Sequence, residues 1–204
     1  MPVKLGQAFR GDGMLKSENG PGIVSDVPAI ELRGINKSFG RVHANKDIDL
    51  VVKKGSIHGI VGENGAGKST LMSILYGFYH ADSGDIIVDG KTVSIADSKA
   101  AIALGIGMVH QHFMLVDNFT VLENVVLGAE GGSLLANGIG QARKELDRLE
   151  TDYGLKVDQD ALIEELPVGL QQRVEILKAL FRQAEILILD EPTGVLTPAE
   201  AFFF

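Results

Sequence analysis

Two groups of residues in this sequence have the types and spacing to do chemistry. The first is Gly62-Glu63-Asn64-Gly65-Ala66-Gly67-Lys68-Ser69-Thr70, which reads G-x-x-x-x-G-K-[ST]. That pattern makes a glycine-rich turn whose backbone N–H groups wrap a polyphosphate, with a lysine reaching the β- and γ-phosphates and a hydroxyl for Mg²⁺. The second is Asp190-Glu191, which follows the apolar run Ile186-Leu187-Ile188-Leu189. Two adjacent carboxylates at the end of such a run are costly unless a metal or a reaction uses them.

Phosphoryl transfer from ATP needs positioning and charge neutralisation more than covalent chemistry, and these residues supply both. Backbone N–H groups of Gly65 to Lys68 would cradle the phosphates, and Lys68 would neutralise the γ-phosphate. Ser69 would ligate Mg²⁺ and Asp190 would hold the metal through water. Glu191 is placed to orient or deprotonate the attacking water. Gln111 leads out of a short buried run, where its amide could touch the metal site and report its occupancy. His110 and His112 have no further Cys or His nearby to complete a metal set, so they read as packing or surface residues.

The elements that must position these groups are legible. Ser56 to Val61 suits a buried parallel strand between Gly55 and Gly62, and Leu71, Ile74, Leu75 and Phe78 lie on one face of a helix. The order strand, glycine loop, helix aims the orphan N–H groups and positive dipole end of that helix at the phosphates. Upstream, 29–35 and 47–52 read as strands. Downstream, 85–88 is a strand closed by the hairpin pair Asp89-Gly90, 98–104 a short helix ended by Gly105, and 107–109 a short buried strand. From about 113 to 166 the pattern turns helical: Val121, Leu122, Val125 and Val126 have helical spacing, and 141–151 is a charged helix with Leu146 and Leu149 inward. Gly131-Gly132 and Asn137-Gly138 break that block, and 152–165 reads as an acidic surface element. Leu170, Val174, Leu177 and Phe181 form the stripe of a helix of about four turns, and 186–189 reads as a buried strand delivering Asp190 and Glu191 beside the phosphate loop.

Composition narrows the class. The chain has 204 residues, 45% hydrophobic and 23% charged, as in an average globular domain. A formal charge of -8 argues against a nucleic-acid binder, and the absence of cysteine removes disulfide and thiol chemistry. No apolar run approaches the length that spans a bilayer. Residues 1–28 read as a mobile leader. Thr197-Pro198-Ala199-Glu200 announces a helix that stops at Phe202-Phe203-Phe204, which suggests a fragment of a longer protein.

Taken together, the chain from 29 to 204 resembles the nucleotide-binding domain of an ABC transporter. The matching elements are the phosphate loop, Gln111 at the family's Q-loop, Leu166-Pro167-Val168-Gly169-Leu170-Gln171-Gln172-Arg173 at its signature and Ile186 to Glu191 at its Walker B strand. Phe39, which alone would read as a core or turn aromatic, matches the position that stacks on adenine. Within the family the chain is similar to the ATPases of simple-sugar and nucleoside importers, whose polypeptide carries two such domains in tandem. Glu191-Pro192-Thr193-Gly194-Val195-Leu196-Thr197-Pro198 resembles that branch.

The resemblance implies an α/β P-loop ATPase domain with a mainly parallel core sheet, an antiparallel β subdomain and a helical insertion at about 113–166. It implies ATP and Mg²⁺ as ligands and a head-to-tail partner that is a second such domain. It also implies membrane-spanning permease subunits, a solute-binding protein acting indirectly, and a peripheral place on the cytoplasmic face of the membrane. A soluble ATPase of the same type, acting on ribosomes or DNA, and a non-hydrolysing regulatory clamp are the alternatives. The signature departs from the family at Pro167, Val168 and Leu170. Pro167 offers neither hydroxyl nor N–H to the partner's γ-phosphate. With the family's switch histidine expected beyond Phe204, the chain by itself should bind ATP better than it hydrolyses it.

Overall fold

The computed structural model describes residues 27–110, 113–128 and 138–191. It divides into two compact units, 1–100 and 101–204.

The first unit is built on a four-stranded antiparallel sheet of order β2-β1-β3-β4. Its strands are β1 (Ile30–Phe39), β2 (Val42–Val52), β3 (Ser83–Val88) and β4 (Lys91–Val93). Alternation in β1 buries Ile30, Leu32 and Ile35, which explains the strand expected there and its extension to Phe39. The ladder between β1 and β2 carries bulges at 32–38. At one of them Asp47 adopts φ 46, and the Asn36 side chain holds it by accepting from Asp47 N–H at 2.9 Å and donating to Asp47 Oδ1 at 3.0 Å. Asp89 and Gly90 have φ 50 and 75, both positive as the expected hairpin turn requires.

Helix α1 (Lys68–Leu75) buries Leu71, Ile74 and Leu75. Phe78, expected on the same face, lies beyond the helix end: Gly77 turns left-handed at φ 81, and Phe78 is 45% exposed with its ring edge-on to Tyr76 at 5.2 Å. A larger correction concerns 56–61. This run enters no ladder among the described residues, and Ile57 and Val61 are exposed. An apolar run becomes a strand only where a neighbour supplies its hydrogen bonds, and its spacing does not name that neighbour.

The second unit joins a parallel pair to a helical block. Helix α2 (Ser98–Ala103) leads through Gly105, at φ 74, into β5 (Ile106–Val109). All four residues of β5 are buried, and it pairs in parallel with β6 (Ile186–Leu189). Gly107 is required there, because a Cβ would come within 2.8 Å of Ala184 Cβ and 3.0 Å of Ala179 Cβ where α5 (Val168–Phe181) packs on the strand. Strand β6 is less buried than its sequence suggests: Ile188 is buried, but Leu187 and Leu189 are exposed.

The helical block consists of α3 (Val121–Val126), α4 (Ile139–Tyr153), a 3₁₀ turn (Ile163–Glu165) and α5. Thr120 starts α3 with a reciprocal capping box: its hydroxyl accepts from Glu123 N–H, and Glu123 Oε2 accepts from Thr120 N–H at 2.7 Å. Val121, Val125, Ala142, Leu146, Ile163, Val174, Leu177 and Phe181 close one core. Ile163 and Gln159 correct the reading of 152–165 as surface, since that acidic segment turns both side chains inward. Gly131, Gly132, Asn137, the leader at 1–26 and the aromatic end at 202–204 lie outside the described residues.

Candidate functional site

The phosphate loop is shaped by its glycines. Gly65 and Gly67 take φ 82 and 85, a region that costs other residues dearly. Ala66 N–H bonds Glu63 O at 3.1 Å, which closes the turn, and Gly67 is the N-cap of α1 without a side-chain cap. At Gly67 a Cβ would meet Ala44 O at 2.0 Å, so the backbone of β2 lies directly against the loop. Lys68 folds back and donates from Nζ to Gly62 O at 2.8 Å and Glu63 O at 2.9 Å. Gly62, Asn64 and Ser69 are exposed, and Ala66 and Thr70 half-buried. A loop with left-handed glycines, an uncapped helix start and a lysine parked on its own carbonyls fits a polyphosphate, whose oxygens would replace those carbonyls as acceptors.

Phe39 ends β1 at the tip of the hairpin with β2, 44% exposed, with its ring edge-on to Tyr79 at 5.1 Å and Lys37 Nζ 5.4 Å from its centroid. An exposed aromatic face at a rigid hairpin tip can stack on a base. Lys37 is itself fixed by Asp82 at 2.9 Å, and Asp82 also accepts from Ser38 N–H at 2.7 Å. Those two bonds hold the Asp82 carboxyl below its ordinary range.

In the second unit, Asp190 continues the β5–β6 ladder by donating from N–H to Val109 O at 3.1 Å, and Glu191 follows with φ 50. A non-glycine residue held left-handed at the end of a strand is strained, and such strain clusters at working sites. His110 stands at the matching end of β5. Burial lowers its pKa, with Asp190 opposing that effect and Lys178 adding to it. Gln111 lies outside the described residues. The loop and the carboxylates thus belong to separate units, 1–100 and 101–204.

At the signature, Leu166 closes the 3₁₀ turn and Pro167 is the N-cap of α5, with no side-chain cap bond. Val168 is exposed, while Gly169 and Leu170 are half-buried. Gln171 Nε2 donates back to Ile163 O at 3.2 Å and Leu166 O at 2.9 Å, so this glutamine stitches the signature turn to the helical block. Further along α5, Lys178 Nζ donates to Met114 O at 2.8 Å, and Arg182, the C-cap of the helix, donates to Leu127 O. Glu175 is buried. Desolvation raises its pKa, and Lys178, the Met114 backbone amide and Arg182 oppose that rise.

Sequence reasoning missed Glu175 and Lys178, and also Asn45 in β2, whose Nδ2 donates to Gly67 O at 3.1 Å. Asn45 precedes the strand expected at 47–52, so no pattern singled it out. Glu175 and Lys178 fall off the apolar stripe of α5, and only the fold reveals what they face. Among the described residues no cluster of three or more His, Cys, Asp or Glu side chains could hold a metal by itself, and no helix is long and apolar enough to cross a membrane.

Comparisons with known proteins agree with this geometry. A profile of the ABC transporter family matches residues 45–194. The nucleoside import ATP-binding protein NupA of Lactococcus lactis subsp. cremoris (strain MG1363) is 53% identical over 177 residues, covering 87% of this chain and 35% of that protein. The guanosine import ATP-binding protein NupO of Bacillus subtilis (strain 168) is 52% identical over 84% of this chain and 34% of its own length. The chain therefore spans about a third of the length of these curated relatives. Among solved structures, the ADP conformation of an ATP-binding cassette of an ABC transporter superposes with TM-score 0.72 at 28% identity, covering 86% of this chain and 73% of that one. A nucleotide-free cassette gives TM-score 0.71 at 26% identity, with 85% and 73% covered. The family profile spans most of the chain and the solved cassettes share its fold, and the chain belongs to the ABC transporter family.

Proposed function

We propose that this chain is an ATP-binding and ATP-hydrolysing cassette that powers import of a small solute such as a sugar or nucleoside. The observation that carries the reading is the loop at 62–70, with its left-handed glycines and returned lysine. The relatives, import ATP-binding proteins by name, support the transport role.

In this reading Phe39 stacks on the adenine, the N–H groups of Gly65 to Lys68 hold the phosphates, and Lys68 exchanges the carbonyls of Gly62 and Glu63 for γ-phosphate oxygens. Ser69, Asp190 and Gln111 would hold Mg²⁺, which when bound neutralises phosphate charge. Glu191 accepts the proton of the attacking water. Leu166 to Gln171 face the nucleotide of a second cassette, joined in tandem or as a separate copy. Pro167 and Val168, having no hydroxyl at that turn, weaken hydrolysis at the partner's site. Closure of the pair passes through Gln111 and the helical block to membrane-spanning permease subunits, fed by a solute-binding protein. The chain would sit peripherally on the cytoplasmic face of the membrane.

The test is Mg-ATP binding and turnover by this chain, by a version extended past Phe204, and by Glu191→Gln in the extended version. Binding by the chain, turnover on extension and its loss in Glu191→Gln support the reading. Wild-type turnover in Glu191→Gln removes the assigned base, and no ATP binding by folded protein overturns the function.

A further inference from the structure

We propose that Asn45 is a positioning residue of the phosphate loop, holding the Gly67 peptide so that the Lys68 N–H faces the polyphosphate. The inference rests on the reading of the loop as a nucleotide cradle and adds a residue from outside it.

Asn45 lies in β2 and is 4% exposed. A buried amide is tolerated where its hydrogen bonds are made. Here half of them are. Asn45 Nδ2 donates to Gly67 O at 3.1 Å, while Oδ1 is buried without a partner. A leucine would fill the position with no orphaned oxygen, so packing alone does not account for the amide.

The one bond it makes falls on a decisive atom. Gly67 O also accepts from Leu71 N–H at 3.0 Å, the first bond of α1. Because the peptide is planar and trans, the Gly67 C=O and the Lys68 N–H point in opposite directions, and fixing one fixes the other. Glycine by itself lets that peptide rotate, with φ 85 close in energy to alternatives. A second donor on the carbonyl removes that freedom. The approach is direct: a Cβ at Gly67 would come within 2.0 Å of Ala44 O and 2.9 Å of Asn45 Nδ2, so no side chain intervenes between β2 and the loop. The same hairpin carries Phe39, since Lys37 pairs with Asn45 and Phe39 with Val42. One strand pair therefore references both ends of the nucleotide, the base through Phe39 and the phosphates through Asn45.

The experiment measures Mg-ATP and Mg-ADP affinity by titration calorimetry for the wild-type chain, Lys68→Ala, Asn45→Leu and Asn45→Asp, with thermal unfolding of each in the absence of nucleotide. Leucine keeps the branched four-atom framework and cannot donate; aspartate keeps the shape and sets an acceptor against an acceptor. The expected result is a loss of about tenfold for both nucleotides in Asn45→Leu, the size of one lost hydrogen bond, with an unfolding midpoint no lower than wild type. Asn45→Asp should lose at least as much affinity. Unchanged affinity in either folded variant overturns the proposal. So does failure of both to fold, because the role is then structural. If the wild type binds no Mg-ATP, the nucleotide reading falls first and takes this inference with it. Wild-type binding that is lost in Lys68→Ala but kept in Asn45→Leu overturns this inference alone.

Discussion

Lys68 Nζ lies 2.8 Å from the carbonyl oxygen of Gly62, inside the same loop that it closes. With Glu63 O at 2.9 Å, the ammonium rests on two neutral acceptors. Exchanging carbonyls for phosphate oxygens converts neutral hydrogen bonds into charge-assisted ones, which are about twice as strong.

Lys68→Ala should therefore weaken Mg-ATP binding by about 10- to 100-fold, the range of a hydrogen bond to a charged group. The fold should be retained, because the lysine contacts only exposed loop carbonyls. Titration calorimetry beside circular dichroism checks both halves, and wild-type affinity in the variant would remove the lysine from the site.

Gly67→Ala should be worse for stability than for any other glycine of the loop. The left-handed φ alone costs about 1–2 kcal/mol, and the added methyl would strike Ala44 O, 2.0 Å away. A fall in the unfolding midpoint of about 4 °C or more is expected, together with lost nucleotide binding. Gly65→Ala meets no atom within 4 Å and should pay only the φ cost.

The buried carboxyl of Glu175 sets a pH dependence. Desolvation raises its folded pKa above the ordinary 4.5, so the folded state keeps this proton to higher pH than the unfolded chain does. Its contribution to stability is thus fully present below 4.5 and is lost as pH rises through the folded value. In Glu175→Gln the urea midpoint should fall less steeply than in wild type as pH rises from 4.5 through the folded value. Parallel slopes for the two proteins would mean that the carboxyl titrates normally.

Much of this architecture is legible in the sequence because the cues are local. Asp89-Gly90 demands a turn, the stripe from Val174 to Phe181 demands a buried helix face, and the glycine spacing at 62–67 demands a phosphate loop. What escapes is whatever depends on a distant neighbour. The run 56–61 has strand composition but finds no ladder among the described residues, and Leu187 and Leu189 have core composition but are exposed. Ile163 is hidden within an acidic segment, and its burial is decided by α3 and α5 rather than by its own surroundings in sequence. Asn45 and Gly67 are 22 residues apart, so no spacing rule joins them. Even the capping box Thr120 to Glu123, a local signal, is masked by the apolar run that starts between its members.

Helix α5 and its C-cap grip Ile163, Leu166, Met114 and Leu127 by their main-chain oxygens, through Gln171, Lys178 and Arg182. A main-chain oxygen is the same atom whatever side chain the residue carries. Met114 and Leu127, which lie outside the core cluster, can therefore vary in sequence without losing these bonds, whereas the three gripping positions cannot. Saturation mutagenesis should find tolerance at 114 and 127 and intolerance at 171, 178 and 182, an asymmetry set by which partner contributes the backbone.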